Sequence, residues 1–145
     1  MEVLSRGKEE LLSLFRVVVG LLFTCHGLSK LFGLFGGHVA RFGVWPGWYS
    51  AAIELVGGLA VLLGVGTRVA ALLCSGEMAY AYFTAHQEKG LWPIQNGGEL
   101  AAVYSWVFLL IAFVGPGSYT LITLWQRWRN ATVITADVEP AVTTG

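Results

Sequence analysis

Residues 11–35, LLSLFRVVVGLLFTCHGLSKLFGLF, decide the fold. Only Arg16 and Lys30 carry a full charge in this run, and crossing the hydrocarbon of a bilayer takes about 20 apolar residues in a helix. A secretory leader would be shorter and would end at a small-residue cleavage site. This run is preceded by the charged segment Arg6 to Glu10 and continues to Phe35, so it is expected to stay in the mature protein.

Three further apolar runs follow, at about 50–66, 68–86 and 97–114. The breaks between them have turn chemistry: Gly36-Gly37 and Trp45-Pro46-Gly47, then Gly64 to Thr67, then Pro93 to Gly98, then Gly115-Pro116-Gly117. Over 145 residues, 55% are hydrophobic and 12% charged, where soluble domains carry about a quarter charged residues. A chain this short could not hide so much apolar surface from water in one core. The expected fold is therefore an all-α integral membrane protein: a four-helix transmembrane bundle in a single domain over residues 1–130. A short C-terminal interfacial helix is expected over about 119–129, where apolar residues alternate with Gln126, Arg127 and Arg129, and a flexible tail over 131–145.

Arg6, Lys8, Arg16, Arg68, Arg127 and Arg129 fall at one set of helix ends, against Lys30, Arg41 and Lys89 at the other. By the positive-inside rule both termini are cytoplasmic, in a multi-pass protein of a bacterial inner membrane. The net charge is zero and no basic run is present, which argues against a nucleic-acid partner. Cys25 and Cys74 lie inside apolar runs and read as buried thiols rather than a disulfide framework.

At 1.5 Å of rise per residue, His26 lies about 22 Å and Lys30 about 28 Å up the first helix, while Glu54 and Glu99 enter about 6 Å and 3 Å below the outer surface. With His86 at the top of the third helix, five ionisable groups share the outer half of the bundle. Such residues are costly in a bilayer and pair with one another or line a wet cavity. His26 and Lys30, four apart, share a helical face, so Lys30 can pair with Glu54 or with Glu99. Glu77 stands deeper, and on a straight helix it emerges nearly opposite His86. Simpler readings stay open: Lys30, Glu99 and His86 are near enough to the surface to snorkel into water, His26 can satisfy a backbone carbonyl, and Tyr80, Tyr82 and Tyr104 can be core filling. Glu-x-x-His spacings, CxxC pairs and phosphate loops are missing from the sequence, so no metal, haem or flavin site is expected.

His26-Gly27-Leu28-Ser29-Lys30-Leu31-Phe32-Gly33 resembles the first-helix signature of the DoxX family of small bacterial four-helix membrane proteins. Glu54-Leu55-Val56-Gly57-Gly58, running on to Thr67-Arg68-Val69-Ala70-Ala71, is similar to the family's second helix and turn, and Gly97-Gly98-Glu99 and Gly115-Pro116-Gly117-Ser118-Tyr119 to the ends of its last helix. Members often carry an aspartate shortly after that turn, where this chain has Ile122. The resemblance implies membrane redox chemistry, since relatives include a subunit of a thiosulfate:quinone oxidoreductase. On this reading the protein is a membrane component of a quinone-linked oxidoreductase system. His26, Glu54 and Lys30 act at a quinone, and Glu99, His86, Glu77, Tyr80 and Tyr104 contribute to binding it. Electrons come from a redox partner protein, and exposed apolar helix faces make a homo-oligomer plausible. The alternative is a non-catalytic scaffold or binding subunit of a redox complex, or a small-solute carrier, that uses the same cluster as structural glue.

Overall fold

The structure is a computed structural model, described here over residues 7–137. Its elements among the described residues are helical: α1 (Lys8–Phe32), α2 (Gly47–Leu63), α3 (Thr67–Ala81), the single turn α4 (Pro93–Asn96), α5 (Glu99–Val114) and α6 (Leu121–Asp137). A π-turn over Tyr82–His86 continues α3 directly. α1 packs on α2, α3 on α5, and α2 and α3 are neighbours across the tight turn at Gly64 to Gly66.

Close approach of α1 and α2 depends on residues without side chains. A Cβ at Gly20 would lie 2.5 Å from the backbone nitrogen of Leu62, and one at Gly27 would collide with the backbone of Leu55. This is how helices associate where lipid removes the hydrophobic drive to do so. The core that results is built on Phe23, Tyr104 and Phe108, with Val61, Cys74, Met78 and Ile111 around them. Phe23 and Phe108 meet edge to face with centroids 4.5 Å apart.

The opposite faces are apolar too. Leu21, Leu22, Val56, Val69, Leu72, Leu73, Val103, Trp106, Leu110 and Phe113 all point outward from the packed helices. Among the described residues, α1 is the one helix both long and apolar enough to cross a membrane. α2 and α5 are apolar but have 17 and 16 residues, giving about 26 Å and 24 Å of helix against about 30 Å of hydrocarbon.

Several helix boundaries differ from expectation, among them the end of α2, which stops at Leu63 rather than about 66. α1 starts at Lys8, because Lys8, Glu9 and Glu10 are good helix formers although they are polar, and it stops at Phe32, where Gly33 takes a left-handed φ of 71°. α2 starts at Gly47 directly after Pro46. α5 starts at Glu99 rather than 97, behind Gly98. α6 extends to Asp137, through the first part of the stretch expected to be a tail; residues 138–145 lie outside the described residues. On α6, Trp125 and Trp128 are exposed, and the Arg129 guanidinium lies 4.7 Å from the Trp125 ring.

The opposite end from His26 is tied by a residue read from sequence only as an end charge. Arg16 is 1% exposed. Its Nε donates to the carbonyl of Pro116 at 2.8 Å, Nη1 to those of Val61 and Leu62 at 2.5 and 2.6 Å, and Nη2 to that of Tyr119 at 2.5 Å. One guanidinium thereby serves the carbonyls left over at the end of α2 and in the Gly-Pro-Gly connection. Arg68 does the same for the end of α5, donating to Ala112 and Phe113 at 3.0 and 2.8 Å.

Candidate functional site

Gly27 brings α1 against α2 at Leu55, next to Glu54. From there the Lys30 ammonium donates to Glu54 Oε1 at 2.5 Å. The pair is unequal: the lysine side chain is 42% exposed and the glutamate 2%. Lys30 thus works as a stalk that carries charge from the surface to a buried carboxylate. Glu54 Oε2 is buried with no hydrogen-bond partner among the described residues. A buried carboxylate oxygen without a donor marks a place where a ligand or water belongs.

The pair borders a cavity of about 200 Å³ between α1, α2, α3 and α5. His26, Lys30, Glu54, His86 and Tyr104 all line it, over a floor of Phe23 and Met78. His26 meets Tyr104 edge-on with centroids 6.0 Å apart. His86 reaches the cavity from the π-turn, a wider turn that redirects the side chains at its end. Its Nδ1 lies 3.3 Å from the carbonyl of Asn96; since a carbonyl only accepts, Nδ1 carries the proton and Nε2 is left as an acceptor in the neutral ring. Asn96 is itself fixed, donating to Gly90 O at 2.9 Å and accepting from Gly98 N at 2.8 Å.

The remaining site candidates lie elsewhere. Glu99 is exposed at the start of α5 and does not line the cavity, so the choice left open for Lys30 falls to Glu54. Glu77 and Tyr80 line a separate cavity of about 310 Å³ between α2 and α3, where Ser50 Oγ donates to Glu77 Oε1 at 2.5 Å. Tyr82 borders a third recess beside Trp106. Asn96 went unnoticed in the sequence. Its position between Pro93 and Gly97, where an amide commonly satisfies turn backbone, was the available signal.

The chemistry gathered here is that of a small helical protein holding an ionisable cluster among apolar helices: two histidines, a phenol and a lysine–carboxylate pair around one cavity. The chain belongs to the DoxX family, whose model matches residues 11–87, a stretch that includes His26, Lys30, Glu54, Glu77 and His86. It is 40% identical over 128 residues to an uncharacterized protein of Haemophilus influenzae, covering 83% of this chain and 95% of that one. It is 32% identical over 119 residues to "Inner membrane protein YqjF" of Escherichia coli, covering 77% and 89%. Over 76 residues it is 40% identical to the Bacillus subtilis protein named "Putative oxidoreductase CatD", covering 49% and 56%. No solved structure matches the chain.

Proposed function

We propose that this chain is a multi-pass protein of a bacterial inner membrane, with α1, α2, α3 and α5 all crossing and both termini in the cytoplasm, and that it binds the headgroup of a quinone for a membrane redox system. The apolar outward faces of all four helices support the crossing, and the name of the YqjF relative agrees with the location. The short α2 and α5 are accommodated by local thinning of the bilayer. The name of the CatD relative supports redox work.

The observation that carries the quinone reading is the cavity itself. An apolar cavity of about 150 Å³ holds benzene, so about 200 Å³ accommodates one quinone ring with its oxygens. Donors stand around it: the Lys30 ammonium, the His26 ring and the Tyr104 hydroxyl. Reduction of a quinone to the quinol consumes two electrons and two protons. The electrons come from the redox group of a partner protein, and His26 and Glu54 pass protons to the two oxygens. The partly exposed Lys30 and His86 connect that cluster to the outer water.

The scaffold reading draws on one fact, that the Lys30–Glu54 ion pair already ties α1 to α2. One experiment separates the two. Full-length protein purified in detergent is extracted with solvent and the extract is assayed for quinone by mass spectrometry, alongside His26→Ala and Glu54→Gln. Quinone retained by the native protein and lost from variants that stay folded supports the headgroup site. Quinone no higher than in an unrelated membrane protein, together with variants that lose stability, supports the scaffold.

A further inference from the structure

The second cavity, between α2 and α3, has a composition the quinone site does not explain. Its upper end is walled by three aromatic rings, with Trp45 tilted 48° against Tyr49 and meeting Tyr80 edge to face, at centroid distances of 5.8 and 5.6 Å. Glu77 lies in the same wall, held by Ser50. Among the described residues no cation stands within ion-pair distance of Glu77, and neither Lys nor Arg lines the cavity. A carboxylate beside aromatic faces is the arrangement that recognises an organic ammonium, through charge and through the ring quadrupoles together.

The cavity does not end there. Tyr49, Ile53 and Leu73 also belong to an apolar groove of about 490 Å³ that continues between α2 and α3 to Val65 and Gly66. The small side chains of Ala52, Ala60 and Ala70 leave this groove unfilled. Its lining on α2 runs from Tyr49 to Ala60, about 17 Å at the rise of a helix.

We infer that the Trp45–Tyr49–Tyr80 box with Glu77 and the groove below it form a binding site for a single-chain alkylammonium amphiphile. Its ammonium sits against Glu77 and the rings, and its chain lies between α2 and α3. A zwitterionic phospholipid fits less well, because its phosphate would find no cation in the cavity wall. The site is separate from the His26 cavity, whose lining residues it does not share.

The test uses the full chain in neutral maltoside micelles and radiolabelled dodecyltrimethylammonium, counting only the portion displaced by excess unlabelled compound. Saturable binding is expected, roughly tenfold weaker in Glu77→Gln and in Trp45→Ala and restored in part by Glu77→Asp. His26→Ala should bind as the native protein does. Thermal unfolding of each variant shows whether it is folded, and Trp45→Ala carries the test if Glu77→Gln is not. The inference is overturned if no saturable component exists, or if the folded variants bind as tightly as the native chain. Tetramethylammonium competing as well as the long-chain probe would remove the groove from the site. Phosphatidylethanolamine displacing the probe equally well would overturn the choice of a phosphate-free amphiphile.

Discussion

Replacing Lys30 with methionine removes the cation that faces a carboxylate only 2% exposed, whereas replacing Glu54 with glutamine leaves behind a lysine whose side chain is 42% exposed. The two halves of one ion pair should therefore differ sharply in cost. Removing one partner of a buried pair typically costs about 3–5 kcal/mol, because the survivor is left uncompensated. For Lys30→Met the lower end applies, about 3 kcal/mol, since the lysine is 42% exposed and the pair is only half buried. For Glu54→Gln the surviving ammonium turns to water or headgroups and the amide oxygen still accepts from it, so about 1 kcal/mol is expected, the range of a screened pair. In Lys30→Met/Glu54→Gln neither charge remains, and stability should recover above that of Lys30→Met alone. Equilibrium unfolding in mixed dodecyl sulfate and maltoside micelles reads all three, and a double-mutant cycle isolates the coupling. A Glu54→Gln variant less stable than Lys30→Met would refute the assignment of Glu54 as the buried member and Lys30 as the exposed one.

Three further outcomes follow from the packing. Arg16→Met should destabilise the protein by about 2–4 kcal/mol in the same unfolding assay, since several buried carbonyls lose their donor at once, and Arg16→Lys should recover little because one ammonium cannot span carbonyls from both the α2 end and the Gly-Pro-Gly connection. Gly27→Val should push α1 away from Leu55 and widen the Lys30–Glu54 separation, with a loss of about 2 kcal/mol or more; a variant as stable as the native chain would show that α1 and α2 do not touch there. Cys25 is partly exposed and Cys74 fully buried, so a membrane-permeable maleimide should label Cys25 in the folded protein and Cys74 only after denaturation, as peptide mass mapping would show.

Helix breaks were legible where glycine or proline interrupts the apolar runs: α5 ends at Val114 as expected, and α2 stops at Leu63, at the first glycine of the Gly64–Thr67 turn and short of the expected 66. Apolarity, however, reports where a segment meets lipid and not where its backbone stops being helical. That is why α1 reaches back to Lys8 and α6 runs on to Asp137. In the site, the shared face of His26 and Lys30 could be read from their spacing, and both line one cavity. Choosing between Glu54 and Glu99 needed the rotation of α2 and α5 about their axes, which depth along a helix does not contain. Glu77 had looked merely isolated; the structure places Ser50 and three aromatic rings around its cavity, brought together by the packing of α2 on α3 and by Trp45 from the α1–α2 connection. Arg16 was hidden for a different reason. A lone arginine near a helix end reads as a solvated anchor, and only the three-dimensional meeting of two chain reversals makes it a buried donor.

The Arg16 tie also bears on how such a chain is made. Two of its acceptors, Pro116 and Tyr119, follow it by 100 and 103 residues, so in the proposed topology α1 would enter the membrane carrying a cation whose final partners have not been synthesised. In the topology proposed above, that guanidinium would be held by water and lipid phosphate at the cytoplasmic surface until the last reversal emerges, favouring retention of the amino end on that side. Release from the surface then coincides with completion of the chain, and nascent forms truncated before residue 116 should stay accessible at Arg16 to a guanidine-reactive dicarbonyl reagent that the finished protein excludes.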